Sequence, residues 1–150
     1  MAMTEPGLYG LVYFSRATGP MSDDDLAALL RQARGKNHRL RVTGMLLFES
    51  GLFMQVLEGP REAVLPLFQR IAIDPRHRDV TVVVEDDLPK RLFGPWEMAF
   101  HRVSPSESPV EGFSTLLERY RAGQPVDVDS RFLFSLLSLF VGHLQPGGGL

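Results

Sequence analysis

Gln55 is the polar residue that least fits its surroundings, because it lies in the apolar run Leu52-Phe-Met-Gln-Val-Leu57. Alternate side chains of a strand share a face, so Gln55 is predicted to share one with Phe53 and Leu57. A buried amide that lacks a hydrogen-bond partner costs about 1–3 kcal/mol. We therefore expect Gln55 to have a partner, which is a backbone group, a water molecule or a bound polar heterocycle.

Two more polar side chains can converge with Gln55. Tyr13 lies in an aromatic and apolar run, residues 8–14, that predicts a buried strand, and Asn37 follows the first predicted helix. A phenol and two amides in a cleft between helices suit the recognition of a flat ring with donors and acceptors along one edge. A basic turn at residues 76–78 is placed to hold an anionic tail. The alternative is that Tyr13 and Gln55 only satisfy each other within the core.

The sequence lacks the residues that several other classes of chemistry require. The chain has no cysteine, which excludes a disulfide scaffold, a Cys-ligated zinc site and a thiol nucleophile. Its four histidines are scattered without a metal-ligand spacing, so no metal site is predicted. No P-loop or GxGxxG pattern is present. The net charge of −2 and the pI near 6.1 argue against non-specific nucleic-acid binding, which needs a basic face.

Length and composition predict a soluble globular protein. A chain of 150 residues fits one domain with one core. The hydrophobic fraction of 44% and the charged fraction of 23% are ordinary for this class. No apolar run reaches the roughly 20 residues of a membrane span, and no signal peptide is recognisable. We expect a cytoplasmic protein with no membrane segment.

Apolar stripes at helical spacing and short apolar runs predict the helices and strands that must position these side chains, in the order β-α-β-β-α-β-β. The first helix is predicted to begin after Ser22 and to end at Gly35, which leaves Asn37 in a basic loop. The second is predicted to begin after Gly59, with Pro60 at or near its first position. The predicted strands cover residues 8–14, 42–48, 52–58, 80–84 and 96–100. This order is typical of an α+β ferredoxin-like fold with an extra strand and with both helices on one face of the sheet.

The C-terminal third is predicted to cover the other face of the sheet, because the strands are apolar on both sides. Two helices are predicted there, one beginning after Ser108 and one near Ser130. Apolar residues go most of the way round the last helix, which favours an additional subunit or partner contact. The predicted boundaries are 1–7 for a flexible N-terminus, 8–104 for the core domain, 105–145 for the two-helix cap and 146–150 for a disordered tail.

The order of these motifs resembles that of BLUF domains, which are blue-light sensors that use flavin. The resemblance covers residues 8–102. The runs that carry it are Tyr9-Gly-Leu-Val-Tyr-Phe-Ser-Arg-Ala17, Val42-Thr-Gly-Met-Leu-Leu47, Leu52-Phe-Met-Gln-Val-Leu-Glu-Gly59, Asp74-Pro-Arg-His-Arg-Asp79 and Trp96-Glu-Met98.

The resemblance implies a non-covalently bound flavin between the two core helices, either FAD or one of the smaller flavins FMN and riboflavin. It implies that Tyr13 and Gln55 are the photoactive pair and that Asn37 binds the carbonyl edge of the flavin ring. Trp96 and Met98 fall on the family's signal-relaying strand. The remaining residues that it assigns to the flavin site are Leu29, Phe53, Arg70, Ile71, Asp74, Arg76 and His77.

The implied function is that of a photoreceptor without enzymatic activity. Tyr13 would give an electron and a proton toward the excited flavin, Gln55 would rearrange, and a small red shift would decay in the dark. The chain resembles the short class of the family, in which two C-terminal helices follow the core. The signal would then pass to an unidentified downstream protein or to a homo-oligomer interface. Two alternatives remain from the residues alone: an acylphosphatase-type enzyme that uses Arg16, and a small-ligand module that pairs sheet edges between subunits.

Overall fold

The computed structural model describes residues 7–94, 97–102, 118–125, 129, 133 and 137. Its strands and helices follow the predicted order. They are β1 (Leu8–Ala17), α1 (Asp23–Leu40), β2 (Thr43–Glu49), β3 (Leu52–Pro60), α2 (Arg61–Ala72), β4 (His77–Asp87) and β5 (Ala99–Arg102).

The strands form one mixed sheet with the order β4-β1-β3-β2-β5. The central strands β1 and β3 are antiparallel, and their register places Tyr13 opposite Gln55. The first four strands have the ferredoxin-like order, and β5 adds parallel to β2 at one edge. The predicted α+β fold class is therefore confirmed.

Each face of the sheet has its own apolar core. The helix-side core joins α1 and α2 to the sheet through residues that include Leu11, Tyr13, Leu26, Leu30, Phe53, Leu57, Val64, Leu67 and Met98. The far-side core includes Val12, Phe14, Met45, Met54, Val56, Phe93, Tyr120, Leu133 and Leu137. Among the described residues of the C-terminal third, Tyr120, Leu133 and Leu137 therefore lie in the far-side core.

Tyr120 fixes the C-terminal third to the central strand β1. Its ring stacks on Phe14 with 5.0 Å between centroids, and its hydroxyl donates to the carbonyl of Asp79. Arg16 Nη2 donates to the carbonyls of Tyr120 and Arg121, at 2.9 and 3.0 Å. Arg16 thus binds the C-terminal end of the helical turn at residues 118–121. The helix starts predicted near Ser108 and Ser130, the tail 146–150 and residues 1–6 lie outside the described residues.

The first helix is longer than predicted. Its start follows the prediction, because Ser22 and Asp25 form a capping box. It continues through Gly35 to Leu40 and ends at Arg41, which adopts the left-handed conformation with φ 58°. A glycine inside a helix costs only about 1 kcal/mol, which the packing of Leu26, Leu29 and Leu30 outweighs. The helix therefore carries Asn37 in its last turn, and the predicted loop position was wrong.

Pro60 is the N-cap of α2, immediately before its first helical residue, which agrees with the prediction. Two other boundaries differ from the prediction. Strand β4 begins at His77, so the predicted basic turn already belongs in part to the sheet edge. Strand β5 begins at Ala99, which leaves Met98 just before it, and Trp96 lies outside the described residues.

Candidate functional site

The polar centre of the helix-side core is a hydrogen bond between two central strands. Tyr13 of β1 is fully buried and Gln55 of β3 is 6% exposed. The Tyr13 hydroxyl donates to Gln55 Oε1. Burial raises the pKa of the Tyr13 phenol, and the Asp74 carboxylate raises it further. The phenol is therefore neutral at physiological pH and keeps the proton that it shares with Gln55.

The other end of the Gln55 amide faces Met98. Gln55 Nε2 lies 3.4 Å from Met98 Sδ, and Met98 is only 1% exposed. A thioether accepts hydrogen bonds weakly and cannot donate them. The amide is thus held by a strong partner at its oxygen and by a weak partner at its nitrogen.

The last turns of α1 hold the backbone on both sides of this contact. Asn37 Nδ2 donates to the carbonyl of Glu97 at 2.8 Å, and Arg34 Nε donates to the carbonyl of Met98 at 2.9 Å. His38 Nδ1 lies 2.8 Å from Glu97 Oε1. Asn37 is 2% exposed, so its amide belongs to the buried site. Arg34 was not predicted as a site residue, because its acceptor is a backbone carbonyl that no sequence pattern marks.

Aromatic rings form the wall beside Tyr13. The ring centroid of His77 lies 5.0 Å from that of Phe53 and 6.3 Å from that of Tyr13. His77 Nδ1 and Ser15 Oγ are 2.8 Å apart. Burial lowers the pKa of His77, although the Asp74 carboxylate opposes this change. The imidazole is therefore a neutral flat group at neutral pH.

A charged pair after α2 connects the end of that helix to α1. Arg76 Nη2 lies 2.7 Å from Asp74 Oδ2, and Arg76 Nη1 donates to Gln32 Oε1 of α1 at 3.3 Å. The side-chain hydrogen bond from Arg76 lowers the pKa of Asp74, so this carboxylate is ionised. A cavity of about 320 Å³ lies beside Arg76, between the loop after β1 and the start of α1.

The structure brings most of the predicted site residues together. Leu29 is buried on α1, and Ile71 is half-buried on α2 and packs against the same core. Arg70 is exposed on α2, and no described contact joins it to the others. Trp96 cannot be placed, since it lies outside the described residues.

Among the described residues, no group of histidines and carboxylates could hold a metal ion. No helix in the part of the chain that the structure describes is long and apolar enough to cross a membrane.

Comparison with known proteins identifies the family. A family model described as "BLUF: Sensors of blue-light using FAD" matches residues 8–99. The photoactivated adenylate cyclase subunit beta of Euglena gracilis is 49% identical over 83 residues, which are 55% of this chain. The alpha subunit from the same organism is 45% identical over 94 residues. This chain spans only about a tenth of the length of these curated relatives.

Solved structures share the fold over nearly the whole chain. The dark state of BlrB, a BLUF protein, has a TM-score of 0.68 and 29% identity, and the match covers 91% of this chain and 96% of BlrB. The photo-activated state of BlsA has a TM-score of 0.74 and 25% identity, with 93% and 99% covered. BlrP1 of Klebsiella pneumoniae has a TM-score of 0.62 and 36% identity, and the match covers 90% of this chain but 33% of BlrP1. Because the family model matches more than half of this chain, the chain belongs to the BLUF family of flavin-using blue-light sensors.

Proposed function

We propose that the protein is a blue-light photoreceptor in which Tyr13 and Gln55 form the light-responsive pair. The observation that carries this proposal is the buried hydrogen bond from the Tyr13 hydroxyl to Gln55 Oε1. The Gln55 amide lies between two different partners, the Tyr13 phenol at its oxygen and the Met98 thioether at its nitrogen. A residue that only filled the core would not need an amide in this position.

The residues of the helix-side core fit a flavin. Asn37 and Gln55 carry buried amides, a group that suits the carbonyl and N–H groups on the edge of a flavin ring. In this structure those amides bind the Glu97 carbonyl, the Tyr13 hydroxyl and Met98 Sδ. The rings of Phe53 and His77 offer flat apolar surface beside them. The other residues assigned to the site are Leu29, Arg70, Ile71, Asp74 and Arg76. FAD is the proposed flavin, since the family description names it, and FMN or riboflavin would present the same ring.

The bound flavin would supply blue-light absorption and accept an electron when excited. Tyr13 is the proposed donor, because its phenol is neutral and its proton already points at Gln55 Oε1. Gln55 is uncharged, so its amide can exchange its donor and acceptor ends without moving a charge through the core. In the exchanged orientation Oε1 would face Met98 Sδ, which has no proton to donate. That mismatch favours return to the starting orientation in the dark.

The proposed output is a change of protein contacts and not catalysis by this segment. Met98 contacts Gln55 directly and adjoins β5, so it is the proposed relay together with Trp96. The cap at residues 105–145 is the proposed output segment, with Tyr120 already fixed to β1. Its proposed receiver is a downstream protein or a second copy of this chain.

The first experiment is a visible absorption spectrum of the purified protein, in the dark and after blue light. We expect flavin bands that shift slightly to the red and recover in the dark. Gln55→Leu should retain flavin and lose the shift, because leucine cannot hydrogen-bond Tyr13. Bound flavin without a reversible shift would contradict the Tyr13–Gln55 mechanism. A protein that takes up no flavin on reconstitution would contradict the photoreceptor function itself.

A further inference from the structure

Glu58 is a buried carboxylate in β3, three residues after Gln55, and its side chain is fully buried on the far side of the sheet. Its partners are all donors. Thr43 Oγ1 donates to Oε1 at 2.9 Å, and the backbone N–H groups of Phe93 and Leu92 donate to Oε1 and Oε2, at 2.6 and 2.8 Å. The carboxylate therefore binds two successive backbone amides of one loop.

Arg91 strengthens the same attachment. Its Nη1 donates to Thr43 Oγ1 at 2.9 Å and to the carbonyl of Glu58 at 3.3 Å. Its Nη2 donates to the carbonyl of Arg41, the C-cap of α1, at 2.9 Å. Burial raises the pKa of Glu58, and the hydrogen bonds and the Arg91 charge oppose that rise. Residues 91–93 are thus bound to the end of β3, the start of β2 and the end of α1.

The segment that begins at Arg91 returns to β3 a second time at Met98. There Met98 Sδ accepts a hydrogen bond from Gln55 Nε2, and the Met98 carbonyl accepts one from Arg34 Nε. Gln55 and Glu58 lie an odd number of residues apart, so they serve opposite faces of β3. Residues 91–93 and Met98 therefore contact β3 on opposite faces of the sheet.

We propose that Glu58 is a positioning residue that fixes residues 91–93, sets where Met98 meets Gln55, and so controls how long the light-induced state persists. This inference rests on the proposed Tyr13–Gln55 function. The Glu58 side chain hydrogen-bonds neither Tyr13 nor Gln55. Its effect should therefore appear in the rate of dark recovery and not in the size of the red shift.

The test is Glu58→Gln in the full chain. Glutamine keeps the shape but replaces one accepting oxygen by an NH₂ group, which would face a backbone N–H. We expect an unchanged red shift and dark recovery that is faster by about tenfold, the effect of one lost charge-assisted hydrogen bond on the barrier. Amide hydrogen exchange at Leu92 and Phe93 should also become faster in the dark state.

A milder variant and a control keep the test decisive. Thr43→Val removes one donor to the same carboxylate at equal volume, so it should accelerate recovery less and in the same direction. It decides the question if Glu58→Gln fails to fold. Glu85→Gln changes an exposed carboxylate that accepts from Tyr9 and should leave recovery unchanged.

The outcomes separate the two proposals. Faster exchange at Leu92 and Phe93 with unchanged recovery would make Glu58 merely structural and would overturn the inference. A wild-type protein without a reversible shift would overturn the proposed function instead.

Discussion

Tyr13 and Gln55 lie directly opposite each other in the two central strands, and the phenol donates its proton to the amide oxygen. Because successive side chains of a strand alternate between faces, a slip of one residue between β1 and β3 would move Gln55 to the far side of the sheet. The strand register that builds the two apolar cores therefore also assembles the site.

Tyr13→Phe tests the phenol itself. Phenylalanine keeps the ring but leaves Gln55 Oε1 without its donor, so we expect the free energy of unfolding to fall by about 1–3 kcal/mol. The reversible red shift should disappear while flavin stays bound. Denaturant unfolding and dark-minus-light absorption measure these effects. Tyr9→Phe is the matched control, because it removes a hydroxyl that binds Glu85 on the same face of β1. Loss of the shift in both variants would contradict a specific role for Tyr13.

Met98→Leu tests the weak partner of the Gln55 amide. The exchange conserves volume, so stability should fall by less than about 1.5 kcal/mol. Without Sδ the amide nitrogen loses its acceptor, and the starting orientation of Gln55 becomes less favoured. We therefore expect dark recovery to slow by up to about fivefold, as followed by absorption after a light pulse. Faster recovery would show that the thioether does not favour the dark orientation.

Arg76→Gln tests the charged pair that Arg76 forms with Asp74 after α2. Arg76 lowers the pKa of Asp74 in the folded protein, so the pair adds stability above the ordinary Asp pKa of about 4 and loses it as the pH falls through the folded pKa. Because both side chains are partly exposed, the difference at pH 7 should be at most about 1 kcal/mol.

Urea unfolding of wild type and Arg76→Gln at neutral and acidic pH measures this difference. It should be present at neutral pH and vanish in acid. Arg78→Gln breaks a longer pair with Asp79, 3.7 Å apart and exposed on both sides, and should change stability little at either pH. A difference for Arg76→Gln that persists in acid would assign its effect to packing.

Gly35→Ala tests the length of α1. Gly35 lies inside the helix, and a Cβ placed there meets nothing within 4 Å. We expect alanine to raise the free energy of unfolding by about 0.5–1 kcal/mol, because it narrows the unfolded ensemble. Gly51→Ala is the contrasting variant, since φ of 85° makes it destabilising. Destabilisation by Gly35→Ala in thermal unfolding would mean that the helix ends there.

Sequence patterns predicted the fold because the helices are marked by apolar periodicity, the strands by apolar runs, and the helix starts by local signals such as the Ser22 cap. They placed the end of α1 wrongly, because a glycine such as Gly35 is typical of a helix C-terminus. Only tertiary packing stabilises the helix beyond that residue. The position of Asn37 was wrong for the same reason.

The candidate site was predictable where its members are unusual side chains in apolar runs, as with Gln55. The contacts of Arg34 and Glu58 were not, because their partners are backbone groups of a distant segment. Glu58 did carry a signal, since it is an acid at the end of the same buried strand as Gln55.

Neighbouring residues of β1 serve opposite sides of a sheet that is one layer thick: Tyr13 meets Gln55, while Phe14 stacks on Tyr120. The two contacts therefore belong to alternate residues of one strand and lie on opposite faces of the sheet. A substitution at a far-side residue such as Phe14 can be chosen to suit a different covering segment while every helix-side residue is kept. Under the proposed function, the sheet would thus separate the face that senses light from the face that contacts the C-terminal segment.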